Sequence, residues 1–260
     1  KAFRNQGLRN LVKEVARAVR KYGKDRVAVN ATGGYKAQIA FAGLVSQAME
    51  IPVYYMFERF SEVIELPPMP IAMSFDLWLE NYSLLNKLDK QLQIAKSELD
   101  RPMDERLLSL IDEETINHGT YIALSPVGQL FHESFRYRFA SQKQSILPAV
   151  VAPGKRVEPA SDKRLLSNEH LNHLGMTKLS PFLTKVFTET PYVRGFRCHY
   201  TNPNLSEATR FEMGYQDERR FVGLIYQESG KVAKLEVETE SGDAQELLAA
   251  VADLTERFFS

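Results

Sequence analysis

Leu8, Leu11, Val12, Val15 and Val19 recur at intervals of three and four, which predicts an amphipathic helix over residues 6–22. The run Arg26-Val27-Ala28-Val29 predicts a strand at 26–30. Ile39, Ala40, Ala42, Gly43 and Val45 return to helical spacing within 35–49, and a second strand is expected at 51–57. Pro67-Pro68-Met69-Pro70 closes this region, with a further strand candidate at 71–75. From Leu77 the pattern predicts a long helix to about Asp100, stopped by Pro102. Its apolar positions Trp78, Leu85, Leu88, Leu92, Ala95 and Leu99 alternate by three and four after the first interval, as in a heptad seam. Such a seam packs either on its own domain or across a dimer two-fold.

Beyond it, a helix is expected at 106–111, a strand at Tyr121-Ile122-Ala123-Leu124, and a helix from Ser125-Pro126-Val127-Gly128 carrying Leu130, Phe131, Phe135 and Phe139. Strand, Ser-Pro-x-Gly and helix resemble the end of a winged helix-turn-helix module. Arg136, Arg138 and Lys143 are then candidate phosphate contacts, against a reading in which the module only connects its neighbours. Residues 141–165 lack periodicity and read as a linker. The remainder predicts an α+β domain over 166–260. A helix at 168–189 carries Leu171, Leu174, Leu179, Phe182, Leu183, Val186 and Phe187, with Pro181 a possible break. Strands are expected at 193–200, 208–215, 219–228 and 231–239, with Asp217-Glu218 and Ser229-Gly230 as turns. A last helix carries Leu247, Leu248, Val251, Leu254 and Phe258.

The 260 residues suffice for two or three domains. Lys plus Arg equals Asp plus Glu at 33 each, so any nucleic-acid footprint must be local. The single cysteine, Cys198, excludes an internal disulfide and suits a reducing cytoplasm. No apolar run reaches the ~20 residues that span a bilayer, and no signal peptide is evident, so no membrane partner is expected.

Asn30-Ala31-Thr32-Gly33-Gly34-Tyr35-Lys36 lies between the first strand and its following helix. A small-residue turn there leaves backbone N–H groups free and directs a helix N-terminus at what lies above. Thr32 adds a hydroxyl, Gly33 and Gly34 permit close approach, and Lys36 adds a cation, a combination suited to phosphate, although Gly also serves such turns for packing alone. With Gln47–Tyr55, Glu58-Arg59-Phe60 and Ile64–Pro70, residues 3–78 resemble the CRISPR-associated Rossmann-fold (CARF) sensor domains. The resemblance implies a Rossmann-like sensor over 1–80 whose pocket, on a homodimer two-fold, binds a cyclic oligoadenylate through Asn30, Thr32, Gly33, Gly34 and Lys36. It also implies a preceding amino-terminal half, since the chain begins at Lys1 within a helix. Residues 81–140 then hold the long helix and the winged element.

In the last domain, Phe196, Cys198 and Tyr200 share one strand face by the two-residue period, and Arg197 and His199 share the other. Arg210, Arg219, Arg220, Lys231 and Lys234 come from neighbouring strands. They form either a solvated face balanced by Glu212, Glu236 and Glu238, or a surface for metal-free RNA cleavage. The latter needs a base for the ribose 2′-hydroxyl, cations for the phosphate and an acid for the 5′-oxygen. No Asp/Glu cluster or Cys/His spacing indicates a metal site. This layout, with Glu189-x-Pro191-Tyr192-Val193, resembles the RelE-type mRNA interferases. The resemblance implies an antiparallel sheet with packed helices, Arg197, Arg210, Arg219 and Arg220 as phosphate clamps, His199 as acid or base, and Lys231 or Tyr226 as accessory groups. Tyr226 also fits the core, on the face of Val222 and Leu224.

Sensor, winged helix and RelE-like domain in that order resemble the CRISPR-associated mRNA interferases. Together they imply a metal-independent endoribonuclease with no cofactor, activated by cyclic tetra-adenylate, that cuts mRNA in the ribosomal A site during antiviral defence. Two alternatives stand beside it: a winged-helix transcription regulator, and a ring nuclease that degrades the cyclic signal using Thr32 and Lys36.

Overall fold

The computed structural model describes residues 2–33, 36–56, 63–66, 74–99, 102–117, 119–169, 171, 175–202 and 208–259. They form two compact units, one ending at Ser141 and the other beginning at Gln142. Each mixes helices with small sheets, in keeping with the expected α/β and α+β character. Among the described residues no helix is long and apolar enough to cross a membrane.

The first unit opens with α1 (Ala2–Tyr22), whose apolar stripe buries Val12, Ala16 and Val19 in one cluster with Phe41, Val45 and Met49. Those three belong to the segment of α2 (Lys36–Ala48) and the turn after it. A three-stranded sheet runs in the order β1 (Val29–Asn30), β2 (Val53–Met56), β3 (Val63–Leu66). β1 and β2 are parallel, Val29 opposite Val53, while β3 is antiparallel, Val63 opposite Met56. A parallel pair needs a crossover, and α2 supplies it. The expected elements are present with shorter strands, because Lys24–Arg26 forms a 3₁₀ turn. Glu58–Phe60, Pro67–Pro70 and residues 71–73 lie outside the described residues.

The long helix expected over 77–100 is not found. It divides into α3 (Phe75–Glu80) and α4 (Tyr82–Gln91), with non-helical Asn81 between them. The buried Asn81 amide donates to the Leu77 carbonyl at 3.0 Å, a side-chain competitor for the helical backbone. Leu92 takes a positive φ of 64° and ends α4, and Ile94–Ala95 become strand β4. The seam is therefore no coiled coil. Trp78, Leu85 and Leu88 are buried within the unit, whereas Leu92 is 51% exposed. Trp78 sits among Phe75, Tyr82, Phe135 and Phe139, with ring centroids 4.9–6.1 Å apart. The aromatic cluster surrounds Trp78, and Leu85 and Leu88 are buried in the same unit.

The helix expected at 106–111 is a 3₁₀ segment, Glu105–Leu110, leading into strand β5 (Ile111–Ile116). β5 pairs with β6 (Gly119–Leu124), giving a sheet in the order β4-β6-β5. The Ser-Pro-x-Gly signal has a local physical basis at the start of α5 (Pro126–Ile146). Ser125 Oγ accepts from the Gly128 N–H at 3.0 Å, and Pro126 occupies the first turn, where its missing N–H is harmless. A Cβ on Gly128 would lie 1.9 Å from the Leu110 carbonyl oxygen, so backbone contact demands glycine. The expected phosphate contacts have partners within their own units. Arg136 lies 3.7 Å from Asp89, Arg138 stacks over Phe75, and Lys143 pairs with Asp253.

The second unit is an antiparallel sheet in the order β7-β10-β9-β8. Its strands are β7 (Gly195–Asn202), β8 (Arg210–Gln216), β9 (Arg219–Glu228) and β10 (Lys231–Glu238). Asp217-Glu218 and Ser229-Gly230 are two-residue turns with positive φ at both positions, matching the right-handed twist of the strands they join. The helix expected at 168–189 is shorter. A single turn, α6, spans Lys163–Leu166, and α7 runs Leu179–Glu189 with Pro181 in its first turn; Leu174 lies outside the described residues. α7 and α8 (Ala244–Phe259) contribute Leu183, Val186, Phe187, Leu247, Val251 and Leu254 to one core. The sheet meets them with Phe196, Phe211, Val222, Leu224, Leu235 and Val237.

Residues 141–165 are not a free linker. After the end of α5, Val151 N donates to Pro191 O at 3.1 Å and Val157 N to Arg194 O at 2.8 Å. Arg156 donates to the carbonyls of Phe187, Thr190 and Val193, closing the end of α7, and stacks 3.9 Å above the Phe187 ring. Backbone pairing and one guanidinium hold this segment, and neither produces a hydrophobic period.

Candidate functional site

In the first unit, the β1–α2 turn lies at the carboxyl end of two parallel strands. Asn30 Oδ1 accepts from Thr32 N at 3.0 Å, and Thr32 Oγ1 accepts from Met56 N at 3.0 Å. These two side chains therefore shape the turn and tie it to the end of β2. Among the described residues, a Cβ built on Gly33 meets nothing within 4 Å. Lys36 is exposed at the start of α2. Gly34 lies outside the described residues. Asn30, Thr32, Gly33 and Lys36 are thus gathered on one turn, two as its scaffold and two at its surface.

In the second unit, α7 and α8 cover one sheet face, and the charged candidates are sorted by register. Arg197 on β7 is opposite Glu236 on β10, Glu236 is opposite Gly223 on β9, and Gly223 is opposite Glu212 on β8. This row lies on the face away from the helices. A register irregularity at Lys234/Leu235 skips His199, so Cys198 is opposite Leu235 and Tyr200 is opposite Lys234. The simple alternation expected along 196–200 ends at this bulge, which re-aims the local side chains.

His199, Arg219 and Glu236 meet on that outer face. Arg219 holds the Glu236 carboxylate with both terminal nitrogens, at 2.6 and 2.8 Å. His199 Nε2 lies 3.0 Å from the same carboxylate. Burial pushes the Glu236 carboxyl up, but hydrogen bonds from Arg219 and His199 outweigh it and hold the group below its ordinary value. The Arg219 guanidinium is raised in turn by Glu236. Arg197 is half-exposed, its Nε 3.6 Å from Glu238. Arg210 donates to Glu212 at 2.8 Å, on the far strand of the same face.

Three candidates do not join them. Arg220 alternates with Arg219 and takes the face of Val222. Lys231 takes the face of Ala233 and Leu235, with its amine beside Gly175. Tyr226 is buried in the core with its ring centroid 5.3 Å from that of Phe182, and burial raises its phenol. Arg220, Lys231 and Tyr226 thus lie away from the face that carries Arg197, His199 and Arg219.

Two further residues build this face without having been singled out from the sequence. The Phe221 ring stacks on His199, centroids 5.1 Å apart and planes 18° apart, and carries the Arg219 guanidinium 5.3 Å from its centroid. Phe221 faces Gly214, where a Cβ would fall 2.3 Å from the ring. Glu236 appears in the sequence only as a balancing charge. The two-residue turns already align β8, β9 and β10. The link to β7 is a non-local pairing with an irregular register, which no spacing announces.

Residues 1–69 match the model of a family described as CRISPR-associated protein (Cas_APE2256). The match takes in α1, the β1–β2–β3 sheet and the segment between β1 and α2, so this region is similar to a CRISPR-associated protein family. No curated protein matches the chain.

Proposed function

We propose that the chain is a signal-gated effector of CRISPR defence, an endoribonuclease activated by a cyclic oligoadenylate, with cyclic tetra-adenylate as the activator and mRNA on the ribosome as the substrate. One observation carries the reading. Thr32, Gly33 and Lys36, residue types suited to phosphate, fall within the residues that match a CRISPR-associated family. The same chain presents in its second unit a sheet face that gathers Arg197, Arg210 and Arg219 beside Glu238, Glu212 and Glu236. A sensor turn for an RNA-derived signal, joined to such a face, is the arrangement expected of an effector. The activator would bind across a homodimer two-fold, each protomer meeting a matching part of the ring.

On the outer face, the exposed cation Arg197 would stabilise charge on the phosphorane, and His199 would handle the proton. Arg210 stands further along the face beside Glu212, in reach of a neighbouring phosphate rather than the reacting one.

The test is to incubate the protein with mRNA and ribosomes, with and without each cyclic oligoadenylate, and to map cleavage. Cuts that appear with cyclic tetra-adenylate and leave a 2′,3′-cyclic phosphate or 3′-phosphate are expected. Sequence-specific retention of DNA without RNA cleavage would replace this reading with a transcription regulator. Conversion of the cyclic ligand to linear products as the sole activity would replace it with a ring nuclease.

A further inference from the structure

The outer-face carboxylates are not equivalent. The Glu236 side chain is 6% exposed, against 12% for Glu238 and 41% for Glu212. A buried carboxylate gripped by a guanidinium through two bonds is ionised, and an ionised carboxylate only accepts. The ring nitrogen that meets it must therefore donate. His199 Nε2 occupies that position, so the neutral ring carries its proton on Nε2 and keeps its lone pair on Nδ1.

We propose that Glu236 is the positioning residue of the RNA-cleaving face: it holds His199 in the Nε2–H form, with Nδ1 as the base for the ribose 2′-hydroxyl. The proposal rests on the ribonuclease reading for its chemistry and on geometry alone for the tautomer. One contact and two backbone features fix the ring. Phe221 stacks on it, the absent side chain of Gly214 gives Phe221 its place, and the register irregularity at His199 sets its direction. Sheet irregularities of this kind concentrate beside active sites.

Arg219 changes role as a consequence. Both of its terminal nitrogens are directed at Glu236, so it orients the carboxylate rather than clamping phosphate. The phosphate-facing cation is Arg197. In the step, Nδ1 accepts the 2′-hydroxyl proton while the 2′-oxygen bonds to phosphorus. The bond from phosphorus to the 5′-oxygen breaks, and that oxygen takes a proton from water. Glu236 balances the imidazolium that forms, as the third member of a catalytic triad does. The ring then returns its proton to water.

The experiment reads the tautomer directly. Long-range 1H–15N correlation spectra of the full chain labelled at histidine nitrogens report which ring nitrogen carries hydrogen. The His199 signal is assigned by its loss in His199→Asn. The wild type is expected to show Nε2–H alone once the ring is neutral. In Glu236→Gln, Arg219 still draws the amide oxygen and the amide N–H₂ faces the ring, so the Nε2–H form should give way. RNA cleavage should then fall about 10²-fold or more, as for other triads whose base loses its tautomer. A wild-type His199 in the Nδ1–H form or as a mixture overturns the proposal, and this needs neither a variant nor RNA. Full cleavage by Glu236→Gln with the tautomer lost also overturns it. A wild type in the expected tautomer that cuts RNA under no condition removes the ribonuclease reading, and the catalytic role of Glu236 with it.

Discussion

Lowering the pH should destabilise the first unit through one imidazole. His132 on α5 is fully buried, with Nδ1 accepting from the indole N–H of Trp78 at 3.1 Å. Burial drives its pKa from an ordinary 6.5 down to about 4, the attraction of Asp89 being too weak to offset burial and the repulsion of Arg136, Lys13 and Arg20. Because the folded value lies below the unfolded one, the unfolded chain binds the extra proton. The stability is therefore complete above about pH 6.5 and is lost as pH falls from there toward about 4. At about 1.4 kcal/mol per pH unit the full loss is about 3 kcal/mol, and about 2 kcal/mol of it is gone by about pH 5, above the main carboxylate range. The sole tryptophan is the donor to this ring, so its fluorescence reports the first unit specifically even though the chain has two. Urea titrations followed by Trp78 emission, from about pH 7 to about pH 5, should show this loss in the wild type and not in His132→Gln. Parallel stability curves for the two proteins would refute the buried, neutral imidazole.

Asp253 on α8 is fully buried and accepts from the Tyr192 hydroxyl at 2.6 Å and from Arg257 Nε at 2.9 Å, and it also pairs with Lys143. Asp253→Ala strands these donors and should destabilise the second unit by about 3 kcal/mol, with Tyr192→Phe costing less; a loss under about 1 kcal/mol in a denaturant titration would contradict the hub. Arg197→Ala should reduce RNA cleavage about 10²–10³-fold while leaving thermal stability in place, whereas Arg220→Ala should cleave normally; equal losses in both would show that register does not select the working cations. Lys36→Ala should weaken binding of cyclic tetra-adenylate about ten- to a hundred-fold by calorimetry, one charge-assisted contact being worth about 1.5–3 kcal/mol, and unchanged affinity would remove the turn from the binding site.

Local pattern determined much of this protein. The 3.6-residue period of Leu8 to Val19 and of Leu247 to Leu254 names α1 and α8, because a helix must bury one stripe whatever covers it. Two-residue turns at Asp217-Glu218 and Ser229-Gly230 name the hairpins β8–β9 and β9–β10, because few backbones reverse a twisted strand in so short a space. The Asn30–Lys36 turn is legible for the same reason, as a small-residue turn between strand and helix. Tertiary structure decided the rest. The spacing of Trp78, Leu85 and Leu88 demands burial without naming a partner; Trp78 finds an aromatic cluster in the same unit, where Leu85 and Leu88 are also buried, while Asn81 breaks the helix. Arg156 and the 147–165 segment are held by carbonyls distant in sequence, which leave no periodic trace. The meeting of His199, Arg219 and Glu236 depends on how β7 pairs with β10 and on the residue skipped there. Residue type names a candidate, but strand register decides which face it serves, since a shift of one position exchanges the two faces of a sheet.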